Sequence, residues 1–496
     1  MLSAPCTGLS SATLGAQPPA VEVPNYDRSA LVPSVVHIGV GGFHRAHQAL
    51  YFDDLARAGD TAWGLVGVGL RRPQMGQVLR AQDGLFTLVE RGPHGDSARV
   101  VGSVVRYLYA PDDPEAVLAA LTDPRTKLVT LTITGAGYAI GADGFDDQAD
   151  GVRHDLAHPG SPSTMVGFLV EALSRRRVSG TGPFTVLSCD NLPDSGAAAR
   201  AAVLGFAALR EPDLARWIGQ HVTFPSSMVD RITPETSPGV RDWVEDAFGV
   251  ADRWPVVTEP FRQWFVEDNF CAGRPPLERV GVRFVDDVLP YKLVKARLLN
   301  GGHCALGFLG SLAGHSAADQ AMADPVIREA VDRMLREQVR PLLPDVDGMD
   351  LDNYLDQTLD RFANPSIGDS LARLARRGSV KMPSYVLPSL HDALTRGTPH
   401  RLLLLAVAGW VRYLQGRDLA GRPLTVDDPQ ADRLTASAAH FGRAPHQLLG
   451  LRAIFGDLGD FPLVVRELQE LVCRLDEQGL AATVATCRPA ERKLVA

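Results

Sequence analysis

Six cysteines in 496 residues, none in a CxxC or other zinc-ligand spacing, argue against a disulfide scaffold and a structural zinc site. Cys6, Cys189, Cys271, Cys304, Cys473 and Cys487 are scattered, and they read as the reduced thiols of a cytoplasmic protein. No apolar run approaches the ~20 residues that span a bilayer. The longest, residues 402–411, reads as a buried core helix. The start of the chain lacks a basic region followed by an uninterrupted apolar core, so no secretory signal is expected. Residues 1–30, rich in Ala, Pro, Ser and Gly, read instead as a loosely ordered arm. Lys and Arg are nowhere concentrated and the net charge is −8, which argues against a nucleic-acid surface. No internal repeat or low-complexity linker is present.

What is present is an ordinary globular balance, 45% hydrophobic and 22% charged residues, in a chain long enough for two domains. Up to about residue 285, short apolar runs alternate with amphipathic stretches. The runs at 35–39, 63–69, 127–134 and 184–189 each end at a Gly, Thr or Cys turn. Such runs read as parallel strands buried on both faces, and strands alternating with helices predict a doubly wound α/β sheet. Beyond 285 the strand signal fades, and 289–312, 325–337, 351–362, 367–376, 400–414 and 461–477 suit helices. The expected organisation is therefore the arm, an expanded α/β domain of the Rossmann dinucleotide-binding type over 31–285, and a mostly α-helical domain over 286–496.

The first run leads into Gly39-Val-Gly41-Gly42-Phe43-His44-Arg45, a strand entering a glycine-rich turn ahead of a helix. Such a turn brings backbone amides against a pyrophosphate. The match to GxGxxG is partial, because His44 occupies the third glycine position, and a tight structural corner is the competing reading. Gly39, Gly41, Gly42, Phe43 and Arg45 are the candidate cofactor residues. The second strand ends in Gly69-Leu70-Arg71-Arg72-Pro73-Gln74, with no acid for ribose hydroxyls. Arg71 and Arg72 suit a 2′-phosphate there, and equally suit solvated surface charge.

The densest group of reactive side chains is Lys295, Asn300 and His303. On a regular helix these three fall within an arc of about 140°, with Leu299 intruding and Gly301-Gly302 placed to break the helix before His303. Alcohol oxidation needs a base for the hydroxyl proton, donors for the developing oxyanion and a hydride acceptor. A lysine serves as the base where burial or nearby cations favour its neutral form. Asparagine amides supply an oxyanion hole, worth on the order of 3 kcal/mol per donor. Taken alone, these residues also fit a solvated lysine and a capping or core histidine.

From about residue 24 onward the chain resembles the mannitol dehydrogenase family of long-chain polyol dehydrogenases. Five segments carry the resemblance: Ile38 to His47, Ser188-Cys-Asp-Asn-Leu-Pro193, Phe224-Pro-Ser-Ser-Met-Val-Asp-Arg-Ile-Thr-Pro234, Trp254-Pro-Val-Val-Thr-Glu-Pro260 and Lys295 to His303. It implies metal-independent interconversion of a polyol and a ketose with NAD or NADP, D-mannitol and D-fructose being the nearest pair, in a monomer or small homo-oligomer. It places the catalytic lysine on Lys295, the oxyanion-hole asparagines on Asn191 and Asn300, and an active-site histidine on His303. Asp230 and Arg373 match positions lining the polyol pocket; an Asp230–Arg231 salt bridge and an exposed arginine helix are the respective alternatives.

Three departures stand out. Two glutamates of the family are replaced by Gly135 and Lys292, and an acidic pair expected in an NAD-selective member is replaced by Pro73-Gln74. The readings that stay open are D-arabinitol/D-xylulose, a uronate whose carboxylate Lys292 or Lys381 would meet, and a nucleotide-binding relative without turnover.

Overall fold

The computed structural model describes residues 7–141 and 144–488, and the chain separates into two compact units, Met1–Leu289 and Pro290–Ala496. The strands of the first unit that matter here are β1 (Val21–Glu22), β2 (Val35–Ile38), β3 (Leu65–Gly69), β4 (Phe86–Gly92), β5 (Gly95–Val101), β6 (Val104–Tyr109), β7 (Leu128–Leu131) and β8 (Thr185–Ser188). Every residue of β2, β3, β7 and β8 is buried, as continuous Val- and Leu-rich runs require when helices cover both faces of a sheet. With β6 they form one wholly parallel sheet in the order β8-β7-β2-β3-β6. In order of appearance the strands lie 3-2-1-4-5, the dinucleotide-fold arrangement, and the order reverses between β2 and β7. The crevice beyond that switch point is where such sheets bind ligands. Phe168, Leu169 and Phe206 pack on the sheet in one cluster, and Leu50, Phe52 and Trp264 in another.

Edge strand β6 is absent from the apolar runs because its Arg106 faces solvent, the charge that edge strands commonly carry. A second sheet, β10-β4-β5-β1 with β10 at Val256–Thr258, is built on the antiparallel hairpin β4–β5. A third pairs β9 (Ser227–Asp230) with β11 (Gln263–Glu267), which in turn pairs with β12 (Arg283–Val285).

The expectation of a loose arm is corrected for the residues described. Leu9 and Val21 are buried in a cluster with Leu85, Val89, Val100 and Val244, and β1 pairs with β5. Arg28 fastens the segment by donating to the carbonyls of Gly102 at 3.0 Å and Val104 at 2.9 Å. A few apolar residues spaced among prolines and serines suffice to dock an irregular chain. Residues 1–6 of the expected arm lie outside the described residues.

In the first unit α1 is Gly42–Ala46, α2 Pro73–Ala81, α3 Met165–Ser179 and α4 Ser195–Arg210. The second unit is helical: α5 (Leu289–Lys295), a π turn (Ala296–Asn300), α6 (Gly301–Leu312), α7 (Pro325–Arg333), α8 (Leu351–Phe362), α9 (Leu371–Ala375), α10 (Gly378–Tyr385), α11 (Arg401–Tyr413) and α12 (Pro462–Ala485). The helix expected over 367–376 shrinks to α9, because Gly368 takes a left-handed φ of 58° and Ser370 caps the next turn. Gly301 and Gly302 do not break the helix. They and their neighbours admit close packing instead: a Cβ on Gly302 would stand 2.9 Å from the Phe362 ring, and one on Gly310 would stand 2.7 Å from Leu371.

Candidate active site

At the end of β2, Gly39 takes a φ of 101°, and a Cβ there would lie 2.2 Å from the Thr132 carbonyl oxygen beyond β7. Only glycine brings the turn this close to the switch point. Over Gly41 and Gly42 the space is open, the nearest heavy atoms to an added Cβ being 3.8 and 4.0 Å away. That bare backbone fits the close approach of a dinucleotide pyrophosphate.

The residues that follow turn inward. Phe43 is half-buried and stacks on His47 with ring centroids 5.1 Å apart. Arg45 is wholly buried, donating to the Trp254 carbonyl and lying over the Phe86 ring, so its expected contact with cofactor is withdrawn in favour of a structural one. Burial lowers its guanidinium to a pKa of about 10. His44 is equally buried and stacks on His37 at 3.3 Å, where desolvation holds both rings neutral. Thus the side chain at the third glycine position fills the core behind the turn. Arg71 and Arg72 are exposed between β3 and α2.

Asn191 follows β8 and is exposed. Its neighbour Asp190 is buried, and its carboxylate accepts from the Thr134 N–H at 2.8 Å, the Ile133 N–H at 3.1 Å and the Tyr138 hydroxyl at 2.7 Å. Burial raises the Asp190 pKa against the pull of those donors. Thr134 itself sits at φ 67°, ψ 160°, a region nearly confined to glycine that costs about 1–3 kcal/mol. Asp190 therefore ties the strained loop after β7 to the loop carrying Asn191. Gly135, in that strained loop, is exposed, and a Cβ there would meet only a Leu192 methyl, at 3.3 Å.

Asp230 closes β9 and is buried. Its neighbour Arg231 pairs with Glu90 and donates to the carbonyls of Ala46 and Glu259, which occupies the guanidinium that the alternative Asp230–Arg231 bridge would use.

In the second unit Lys295 is 8% exposed at the end of α5. The π turn places Asn300 five residues on, and its wider spiral brings residues five apart nearer to one face than the ~140° that separates them on a regular helix. The arc estimated from a regular helix is thereby tightened between Lys295 and Asn300. The Asn300 Nδ2 is buried with no hydrogen-bond partner, a donor awaiting an acceptor. His303 packs on Phe362 with centroids 4.5 Å apart. Its pKa is held well below the usual value, by burial first and then by Arg373, Arg361, Lys381 and Lys295.

Arg373 is fixed by both carboxylate oxygens of Asp369. Lys381 donates to the carbonyls of Arg373 and Leu374, each at 3.0 Å, and burial lowers it to about 8. Lys292 is half-buried. The roles of Asp190, Tyr138 and Arg361 escape sequence reading, because each depends on partners distant in the chain. Among the described residues no group of three His, Cys, Asp or Glu side chains is placed to hold a metal ion.

A parallel sheet of dinucleotide-fold order, with a bare glycine turn at its switch point, defines the first unit as the nucleotide half of a dehydrogenase-like protein. The family profile of the mannitol dehydrogenase Rossmann domain matches residues 33–279, and that of the mannitol dehydrogenase C-terminal domain matches 287–476. The chain belongs to the mannitol dehydrogenase family. It is 42% identical over 476 residues to mannitol dehydrogenase 2 of Saccharomyces cerevisiae, covering 95% of this chain and 94% of that one. It is 42% identical over 486 residues to mannitol 2-dehydrogenase of Pyricularia oryzae, covering 95% and 97%. Among solved structures, Pseudomonas fluorescens mannitol 2-dehydrogenase in ternary complex with NAD and D-mannitol superimposes with a TM-score of 0.88 at 40% identity, covering 97% of this chain and 99% of that one. A substrate-free D-sorbitol dehydrogenase also superimposes with a TM-score of 0.88, at 36% identity over 96% of this chain and 100% of that one.

Proposed function

We propose that this chain is a metal-independent, NAD(P)-dependent polyol dehydrogenase that interconverts D-mannitol and D-fructose. The observation that carries the reading is the buried, partnerless Asn300 amide set one π turn from the buried Lys295. The relatives named for mannitol supply the substrate. Lys295 takes the hydroxyl proton in oxidation and returns it in reduction. As charge gathers on that oxygen, the Asn300 Nδ2 donates to it, satisfying the orphaned amide only when substrate is present. Asn191 is assigned the same role by its family position. The nicotinamide, when bound, accepts the hydride from the carbinol carbon.

His303, kept neutral, both accepts and donates and so orients a hydroxyl without adding charge. Arg373, clamped by Asp369, and Asp230 hold further hydroxyls. Lys381 spends two of its donors on backbone carbonyls, which leaves one for a hydroxyl and suits a neutral polyol better than a uronate carboxylate. Cysteines scattered without a pairing pattern support a cytoplasmic location.

D-Sorbitol is the second reading, favoured by the equal superposition on a sorbitol enzyme and by the Gly135 and Lys292 departures. Ketose reduction and polyol oxidation by purified protein, across mannitol, sorbitol, arabinitol and fructuronate, test the assignment. Lys295→Ala is expected to lower kcat about a thousandfold or more while dinucleotide binding is retained. Turnover within roughly tenfold of the parent removes Lys295 from the role of base.

A further inference from the structure

Taking the dehydrogenase reading as given, we infer that the adenosine end of the nucleotide site is a 2′-phosphate site, with Arg71 and Arg72 as its ligands and NADP(H) as a cofactor bound at least as well as NAD(H). The place is fixed by topology. Strand β3 is the second strand of a 3-2-1-4-5 sheet, and the turn at its carboxyl end is where this fold meets the adenosine ribose. An NAD-selective turn presents a carboxylate to the ribose hydroxyls, and that same carboxylate repels a 2′-phosphate. Here the turn from Gly69 to Gln74 carries no acid and two adjacent arginines.

Both arginines are exposed, and neither guanidinium has an ion pair or hydrogen bond among the described residues. The acids of the neighbouring loop are occupied elsewhere. Asp112 pairs with Arg80 at 3.1 Å, and Asp113 accepts from the Ala116 N–H at 2.9 Å. The turn is also anchored, since the Tyr109 hydroxyl on β6 donates to the Arg71 carbonyl at 3.2 Å. Two uncommitted guanidinium groups on an anchored turn offer the forked donors that match a phosphate dianion.

The test is calorimetric titration of the intact protein with NADP+, NAD+ and the fragments 2′,5′-ADP and ADP. The fragments report the adenosine end without any turnover. The inference expects 2′,5′-ADP to bind about tenfold or more tighter than ADP at low salt, with the advantage shrinking several-fold as salt approaches ~0.5 M, because exposed charges are screened. The double variant Arg71→Ala/Arg72→Ala should weaken NADP+ and 2′,5′-ADP at least about tenfold more than NAD+ and ADP. A wild-type preference for NAD+ and ADP, or a double variant that weakens both dinucleotides equally, overturns the inference and leaves the dehydrogenase reading standing. Failure of all four to bind overturns both.

Discussion

The Asp190 carboxylate accepts from two backbone N–H groups and from the Tyr138 hydroxyl, and a role in positioning Asn191 follows if that loop carries the oxyanion donor. Replacing Asp190 by Asn turns an amide N–H₂ towards at least one of those three donors. The loss of a charge-assisted acceptor in a buried setting costs about 2–3 kcal/mol. The strained Thr134 loop also relaxes. Because Asn191 is the next residue, Asp190→Asn is expected to lower kcat ten- to a hundredfold along with stability. Tyr138→Phe removes one donor and keeps the carboxylate, so its effect should be milder in both. If Asp190→Asn lowered only the melting temperature, Asp190 would be a structural residue and nothing more.

Individual residues were legible unevenly. Lys295, Asn300 and His303 lie within one helical stretch, so their grouping shows in the string. Asn191 is legible because it follows a strand end. Arg45 misled, since a cation beside a glycine turn looks available until the second sheet, unseen in the apolar pattern, is found to cover it.

Elements follow the same logic. The buried parallel strands announce themselves because both faces are apolar, whereas β4, β5 and β6 are interrupted by charged residues, Glu90 and Arg91, Asp96 and Arg99, and Arg106, and give no such run. The π turn leaves no compositional mark. It is a packing outcome, with Gly301 and Gly302 pressed against Tyr385 and Phe362. Gly302→Ala is expected to cost about 1–3 kcal/mol by overpacking. It should also impair turnover, because the displaced Phe362 ring is the one that supports His303. Gly182→Ala, where an added Cβ meets nothing within 4 Å, is the matched control and should be neutral. Equal Tm and kcat for the two variants in parallel assays would contradict this packing account.

Helix α10 carries a pH effect of definite sign. Lys381 has its pKa lowered to about 8, first by burial and then by Arg373 and Arg376, with Cys304 and Asp369 opposing. The folded state therefore sheds this proton before the unfolded state does. Its contribution to stability is least below pH 8 and grows as pH rises from about 8 towards the unfolded lysine value near 10.4. Lys381→Met should flatten that part of the stability–pH curve, measured by denaturant unfolding. An unchanged slope would mean that the Lys381 amine is better solvated than its carbonyl partners imply.

At the scale of the whole molecule, the two units use different physics for different tasks, and ligands should register that division. On the proposed reading, the first unit would recognise its ligand through bare backbone at strand ends, around Gly39 to Gly42 and Gly69 to Arg72. The second unit would do so through buried polar side chains along α5, the π turn and α6. A ligand that binds only the native state stabilises it by about 2.7 kcal/mol at a hundredfold excess over Kd. Amide hydrogen exchange should therefore slow in 39–45 and 69–74 when NADP+ or NAD+ is added. Polyol added with the dinucleotide should extend protection to 292–303, because the Asn300 Nδ2 gains its missing acceptor. Protection spread evenly over the first unit would instead signal global stabilisation without a defined nucleotide turn. Protection at 39–45 with none at 292–303 under saturating polyol would remove the second unit's polar helix from the substrate site.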